Sequence, residues 1–294
     1  MKESLIFSLP HDKLLTATLA TKLKIEIGAA EIRDFPDGES YVRIDSNVQN
    51  KTILLICSLD HPNNKILPLV FMAKTLKELG AHKIHLISPY LAYMRQDKRF
   101  HPGEAVNSTL FAQLLSDFVD SIMTIDPHLH RIHNLSEIFT IPCATLHAKK
   151  IIATWIRNQV DAPVIIGPDE ESRQWVEEVA KDANAPFIVA EKIRHGDRDV
   201  RVSIPTFDDL SKTPVLVDDI ISTGVSMIES IQELKARGFK NPICIAVHAL
   251  FDQNVYEHLR NVGAQEIISC NTIPHFSNKI DISDVIAEEI KNVF

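Results

Sequence analysis

The chain has 294 residues, 45% of them hydrophobic and 24% charged, an ordinary globular composition with length for about two domains. A net charge of −8 leaves no basic footprint for nucleic acid, so a phosphate-binding site here must gather its cations locally. The longest apolar runs, 53–56 and 84–87, are strand-sized and far short of a membrane span.

The N-terminal MKESLIFSLPHDK lacks the apolar stretch and small-residue cleavage site of a signal peptide. Cys57, Cys143, Cys244 and Cys270 lie in or beside apolar segments and form no CxxC pair, so buried reduced thiols and a cytoplasmic setting are expected.

Strand-like runs alternate with helical patterns along the chain. SLIFSL and TILLIC come first, then a helix at 65–79 closed by Gly80. KIHLIS, a helix at 105–118, SIMTID and a helix at 147–159 follow. The second half reads PVIIGPD, a helix at 170–183, PFIVAEK, PVLVDD and a helix at 224–237 closed by Gly238. PICIAVHAL, EIISC and an amphipathic last helix, Ser283–Val293, end it. This alternation predicts an α/β fold of two similar domains, 1–146 and 147–294, each a mostly parallel sheet flanked by helices. The last helix is expected to pack back on the N-terminal domain, and SIMTIDPH loosely parallels PVLVDDI between the halves.

Ligands of open parallel sheets bind outside the carboxyl ends of the strands. Those ends carry Asp60, Asp126-Pro127-His128, Gly167-Pro168-Asp169, Glu191-Lys192 and Asp218-Asp219, a polar and mostly charged set. In PVLVDDIISTGVSMIESIQEL a strand leads to an acidic pair, a hydroxyl-rich turn and a helix. Amides at the helix start and the hydroxyls of Ser222, Thr223 and Ser226 suit an anion, and Gly224 permits close backbone approach. Asp218 and Asp219 can accept hydrogen bonds from a vicinal diol or bind a divalent cation with it. The bland alternative is a strand-end Asp-Asp and a Ser-Thr helix cap that coincide by chance.

This stretch resembles the phosphoribosyl pyrophosphate (PRPP) signature of the phosphoribosyltransferase-like superfamily. The resemblance implies the acidic pair on ribose hydroxyls and the loop Ser222, Thr223, Gly224, Val225, Ser226 on the 5-phosphate. It leaves open whether PRPP is made or consumed. FPDGES at 35–40 with the following YVRI, PYLAYMRQDKR at 89–99 and DPH at 126–128 decide between these. Together, and in this order over essentially the whole chain, they resemble the ribose-phosphate pyrophosphokinases, also called PRPP synthetases.

That resemblance implies transfer of the diphosphoryl group of ATP to the 1-hydroxyl of ribose 5-phosphate, with Mg2+. Phe35, Asp37 and Glu39 would take the adenine, although a Pro-Asp-Gly turn between strands explains the same residues and is compatible with that role. Arg95 and Gln96 would reach ATP from the end of a strand, Arg95 forking onto phosphate oxygens. His128 and Asp169 would be the metal ligands, and Lys192 and Arg194, in AEKIRHGDRDV, the catalytic cations. His128, His130 and His133 alone would suggest zinc, but no cysteine or carboxylate set completes a tetrahedral site.

Two departures from the family pattern stand out. Glu170 and Glu171 replace small residues in the turn expected to cradle the diphosphate, where they would repel it unless they face outward or help hold Mg2+. Ser222 stands where many members have Asp, and the glycine of the ribose loop is shifted. The competing readings are a catalytically silent regulatory subunit, a phosphoribosyltransferase, and a diphosphokinase for a related sugar phosphate. A homo-oligomer built on dimers is expected, with no nucleic acid or membrane partner.

Overall fold

The computed structural model describes residues 3–129, 131–194, 200–205, 207 and 209–293, and for 171, 191–194 and 200–203 the backbone alone. The chain divides into two compact units, one of Met1–His147, Thr272–Pro274 and Ser283–Phe294, the other of Ala148–Asn271 and His275–Ile282.

The first unit contains β1 (Ser4–Ser8), α1 (Lys13–Leu23), β2 (Glu26–Ile27), β3 (Ala30–Asp34), β4 (Ser40–Ile44) and β5 (Thr52–Ile56). It continues through α2 (Ile66–Glu78), β6 (Lys83–Ile87), α3 (Asn107–Ser116), β7 (Ser121–Ile125) and β8 (Cys143–Leu146). The second unit has α4 (Lys149–Gln159), β9 (Pro163–Gly167), α5 (Arg173–Ala183), β10 (Phe187–Val189), β11 (Glu191–Arg194) and β12 (Val200–Ser203). Then come β13 (Thr213–Ile221), α6 (Val225–Ala236), β14 (Ile243–Ala249), α7 (Gln253–Val262), β15 (Glu266–Cys270) and β16 (Asn278–Ile280). The last helix, α8 (Ser283–Val293), returns to the first unit.

Each unit holds one six-stranded parallel sheet, ordered β2-β1-β5-β6-β7-β8 in the first and β10-β9-β13-β14-β15-β16 in the second. Counted by appearance, both read second, first, third, fourth, fifth, sixth. Each also inserts an antiparallel ribbon between its second and third strands, β3–β4 in one and β11–β12 in the other. The order reverses between the first and third strands, so each sheet has a switch point at their carboxyl ends.

Strand equivalence corrects one expectation. PVLVDDI is the third strand of its sheet and SIMTI the fifth of the other, so their likeness does not follow the shared topology. The partner of PVLVDDI is TILLIC, whose residues after the strand include Ser58 and Asp60.

The strands read as continuous apolar runs because helices cover both faces of a parallel sheet. Ile53 to Ile56 and Val164 to Ile166 are accordingly almost fully buried. In α8 the buried Ser283, Ile286, Ala287 and Ile290 follow helical spacing. That stripe lies toward α1, where Lys22 pairs with Asp284.

Candidate functional site

The second switch point lies between β9 and β13. Only Thr213 to Leu216 of β13 pair with β9, whereas its pairing with β14 continues to Ile221. Asp218 and Asp219 therefore lie inside the strand and past its last β9 partner. The sequence alone suggests an acidic pair after the strand; the long ladder with β14 carries the strand through it.

Asp169 follows β9 by two residues, and its Oδ1 accepts from the Ser172 amide at 3.2 Å. Burial raises the Asp218 carboxyl well above the ordinary carboxylate range, and the negative charges of Asp219 and Asp169 raise it further. The Asp219 amide, donating to Asp218 Oδ1 at 3.0 Å, offsets this in part. Carboxylates that raise one another's proton affinity form a site suited to a cation. Among the described residues no group of three or more His, Cys, Asp or Glu converges on a metal-sized point. The carboxylate oxygens of Asp169, Asp218 and Asp219 are hard donors, of the kind that suit a hard divalent cation.

After Ile221 the loop Ser222–Gly224 leads into α6. The first bond of that helix turn runs from the Ile228 amide to the Gly224 carbonyl at 2.8 Å. The amides of Val225, Ser226 and Met227 precede it and have no helical acceptor. Thr223 is exposed and Ser222 and Ser226 are half-buried, so hydroxyls and amides line the helix start together.

Gly224 is required twice over: its φ is +74°, and a Cβ there would lie 2.9 Å from Val255 Cγ1. Gly224→Ala is therefore expected to destabilise the fold by about 1–2 kcal/mol from the left-handed backbone alone. Denaturant unfolding measures that loss, and a raised KM for the phosphorylated substrate should accompany it. Unchanged stability and KM would contradict the close approach of this loop to α7.

The departure at Glu170 has a structural answer. Its carboxylate pairs with Arg173 one helical turn on, with Arg173 Nη2 donating to Glu170 Oε2 at 2.8 Å. The Arg173 hydrogen bond holds the Glu170 carboxyl below the ordinary range. Exposed and paired, Glu170 is partly neutralised by its own neighbour. The side chain of Glu171 lies outside the described set. Lys192 and Arg194 lie on β11, opposite Val202 and Val200 of β12, and 195–199 lie outside the described residues.

In the first unit the ribbon β3–β4 presents Phe35, Asp37 and Glu39 at its tip. The Gly38 amide donates to the Phe35 carbonyl at 2.9 Å and the Phe35 amide to the Glu39 carbonyl at 2.7 Å. Pro36 presets φ at the first central position, Gly38 takes φ +90°, and Asp37 Oδ1 accepts from the Glu39 amide at 3.2 Å. Phe35 stays 41% exposed, a large aromatic surface for a turn to leave in water.

The sequence places Arg95 and Gln96 at the end of a strand, and the structure corrects this. They lie in a separate turn, eight and nine residues past β6. Tyr93 anchors that turn at φ +65°, packing on Phe111 with ring centroids 4.7 Å apart and donating from its hydroxyl to Asn63 at 2.5 Å. Arg95 is exposed; Gln96 Oε1 accepts from Asn107 Nδ2 at 2.5 Å, tying the turn to the start of α3. Leu91 and Met94 are buried in the segment between β6, which ends at Ile87, and this turn, so the chain leaves the sheet before it reaches Arg95.

His128 is half-buried two residues after Asp126, whose φ of +36° is unusual for a non-glycine residue. Asp126 Oδ1 meets His147 Nδ1 at 2.6 Å. Sequence reasoning missed His147 because no local pattern links positions 21 residues apart. His130 lies outside the described residues.

Comparison with known proteins agrees with this layout. Residues 4–118 match the N-terminal domain of ribose phosphate pyrophosphokinase, and 134–282 match the phosphoribosyl transferase domain. The chain is 34% identical over 280 residues to the ribose-phosphate pyrophosphokinase of Saccharolobus solfataricus, covering 92% of this chain and 94% of that protein. The chain belongs to the ribose-phosphate pyrophosphokinase family. A relative from Sulfolobus acidocaldarius is 35% identical over 288 residues, covering 95% of this chain and 96% of its own. The crystal structure of phosphoribosylpyrophosphate synthetase from Mycobacterium smegmatis matches with a TM-score of 0.87 at 27% identity, covering 100% of this chain and 99% of that one. The protein is thus an enzyme, a transferase of the kinase type in PRPP and nucleotide biosynthesis.

In this ribose-phosphate pyrophosphokinase family member the first unit's switch point, between β1 and β5, is occupied by its own side chains. Lys65 Nζ, itself buried, donates to the Ser58 carbonyl at 2.8 Å and to Asp60 Oδ1 at 2.5 Å. Asp12 Oδ2 accepts from the Ser58 amide at 3.2 Å, and Ser58 Oγ donates to the Thr272 carbonyl. An internal ammonium thus sits among the carboxylates of this switch point, whereas the charges raising Asp218 at the other are negative.

Burial pushes the Asp12 carboxyl up from 3.8 to about 7, with Lys65 and the Ser58 amide opposing and Asp60 adding to it. The folded state therefore holds a proton that the unfolded chain releases, and stability should fall as pH rises from about 4 to about 7. At about 1.4 kcal/mol per pH unit this contribution is on the order of 4 kcal/mol across the window. Asp12→Asn should remove that slope, equalling wild type near pH 4 and exceeding it above pH 7. Parallel unfolding curves for the two proteins across the window would contradict it.

Proposed function

We propose that this enzyme moves the β,γ-diphosphoryl group of ATP onto the 1-hydroxyl of ribose 5-phosphate, releasing PRPP and AMP. The observation that carries the reading is the carboxylate run Asp169, Asp218 and Asp219 beside a helix start lined with amides and hydroxyls, at one switch point of a chain of this family. Asp218 and Asp219 take the sugar diol. Ser222, Thr223, Gly224, Val225 and Ser226 take the 5-phosphate through hydroxyls and amides. Phe35 stacks on adenine while Asp37 and Glu39 accept from its amino group, and Arg95 and Gln96 hold the nucleotide.

The ribose 1-hydroxyl oxygen attacks the β-phosphorus in line while its proton passes to solvent water; the bond from the β-phosphorus to the α–β bridging oxygen breaks, and that oxygen leaves with AMP. Such a transfer asks the protein for positioning and charge stabilisation more than covalent work. Lys192 and Arg194 stabilise the charge developing at the β-phosphoryl group. Mg2+, with His128 and Asp169 as its proposed protein ligands, would supply neutralisation of phosphate oxygens.

Pairing of Glu170 with Arg173 weakens the objection that added carboxylates would repel a diphosphate. An assay with ATP, Mg2+ and ribose 5-phosphate should yield AMP and PRPP; ADP as product, or no turnover, would overturn the proposal. We also place the enzyme in the cytoplasm as a homo-oligomer built on dimers. The free thiols of all four cysteines fit a reducing compartment, and among the described residues no helix is long and apolar enough to cross a membrane. Light scattering that finds a monomer would contradict the assembly.

A further inference from the structure

We infer that Arg33 is a positioning residue for the nucleotide, holding the Phe35 ring from behind and setting how strongly its other face stacks on a purine. This rests on the reading of Phe35 as the adenine platform.

Glu31, Arg33 and Phe35 alternate along one strand and its extension, so they share a face of the ribbon. Glu31 lies opposite Arg43 and Arg33 opposite Tyr41. The guanidinium carbon of Arg33 lies 4.6 Å from the Phe35 ring centroid and 4.4 Å from that of Tyr41. The two rings meet edge to face, 6.0 Å apart at 85°. One cation therefore touches both aromatic faces at the tip.

That cation is held in turn. Arg33 Nε donates to Glu31 Oε1 at 3.2 Å, and the other Glu31 oxygen lies 3.0 Å from Arg43 Nη1. Arg43 Nε donates to Asp45 Oδ1 at 2.8 Å. Each pair is exposed and individually weak. In series they run from Asp45, just past the end of β4, to the aromatic tip of the ribbon, whose strand β4 packs on α2.

The position has a chemical consequence. An aromatic face is negative, so two stacked π systems repel electrostatically unless offset. A guanidinium over one face of Phe35 draws on that negative charge and favours an electron-rich purine on the opposite face. Arg33 also fixes the ring orientation before ligand arrives, which reduces the ordering cost of binding.

The test is a set of variants read by steady-state kinetics. Arg33→Gln is expected to raise KM for ATP about three- to tenfold, the range for loss of one cation–π contact. Turnover and KM for ribose 5-phosphate should stay within about twofold, and Arg33→Lys, which keeps a cation, should recover most of the loss. In a Phe35→Leu background, Arg33→Gln should change KM for ATP by less than about twofold, because the ring through which it acts is gone.

If Phe35→Leu raises KM for ATP but Arg33→Gln does not, the inference fails and the adenine platform stands. Arg33→Gln retaining its full effect beside Phe35→Leu would mean that the charge acts on the nucleotide directly, which also overturns it. Phe35→Leu with unchanged KM for ATP would remove the platform and the inference together.

Discussion

Lys192→Ala is expected to lower kcat by about 10²–10³-fold, by analogy with loss of a single transition-state donor, and to raise KM for ribose 5-phosphate far less. Diphosphoryl transfer places charge on the β-phosphoryl oxygens as the α–β bond breaks, and a cation aimed there contributes little until that charge develops. Its loss therefore falls on turnover, whereas loss of a group that binds substrate and transition state equally would fall on KM. Lys192 lies on β11, directly after β10, in the ribbon that joins β10 to β13. Steady-state kinetics at saturating ATP separate the two outcomes, and near-normal turnover would remove Lys192 from the mechanism.

Asp218→Asn should act differently. An amide has nearly the carboxylate's shape but neither its charge nor its full capacity to accept from a sugar diol. Losing a charge-assisted hydrogen bond costs about 1.5–3 kcal/mol, or roughly 10- to 150-fold in ribose 5-phosphate dependence. The Mg2+ requirement should rise as well, because one of three mutually repelling carboxylates is gone. The variant should fold at least as well as wild type, since the neutral amide relieves the repulsion from Asp169 and Asp219 that raises Asp218. Higher unfolding midpoint with weaker substrate and metal dependence is thus the expected signature. Unchanged dependence on both ligands would contradict the role of Asp218, whatever the stability.

Much of the fold was legible in the chain. TILLIC, KIHLIS and PVIIG are runs too short for helices and too apolar for exposed strands, and their alternation with amphipathic segments admits little but a helix-covered parallel sheet. The family was legible too, because FPDGES, RQDK, DPH and DDIISTG are contiguous and keep their order. The turn at Phe35 to Glu39 is likewise local, with proline, aspartate and glycine each at a position their backbone suits.

Other features were settled only by residues far apart in sequence. Pairing with β14 draws Asp218 and Asp219 into a strand that the residues VDDII alone would end. Lys65 is buried because the carboxyl end of β5 brings Asp60 and the Ser58 carbonyl to its ammonium. Glu170 reads as an obstacle in sequence, but Arg173 takes its charge, and Asp126 acquires His147 across a gap of 21 residues. By itself the sequence determined the family, most of the sheet strands and helices (though not α1, α7, β2, β8 or β16) and the candidates for the chemistry-bearing side chains, because these depend on local spacing. The tertiary structure alone decided strand order, which charges neutralise one another and which carboxylates gather at one strand end, because those depend on burial and on neighbours brought together by the sheet.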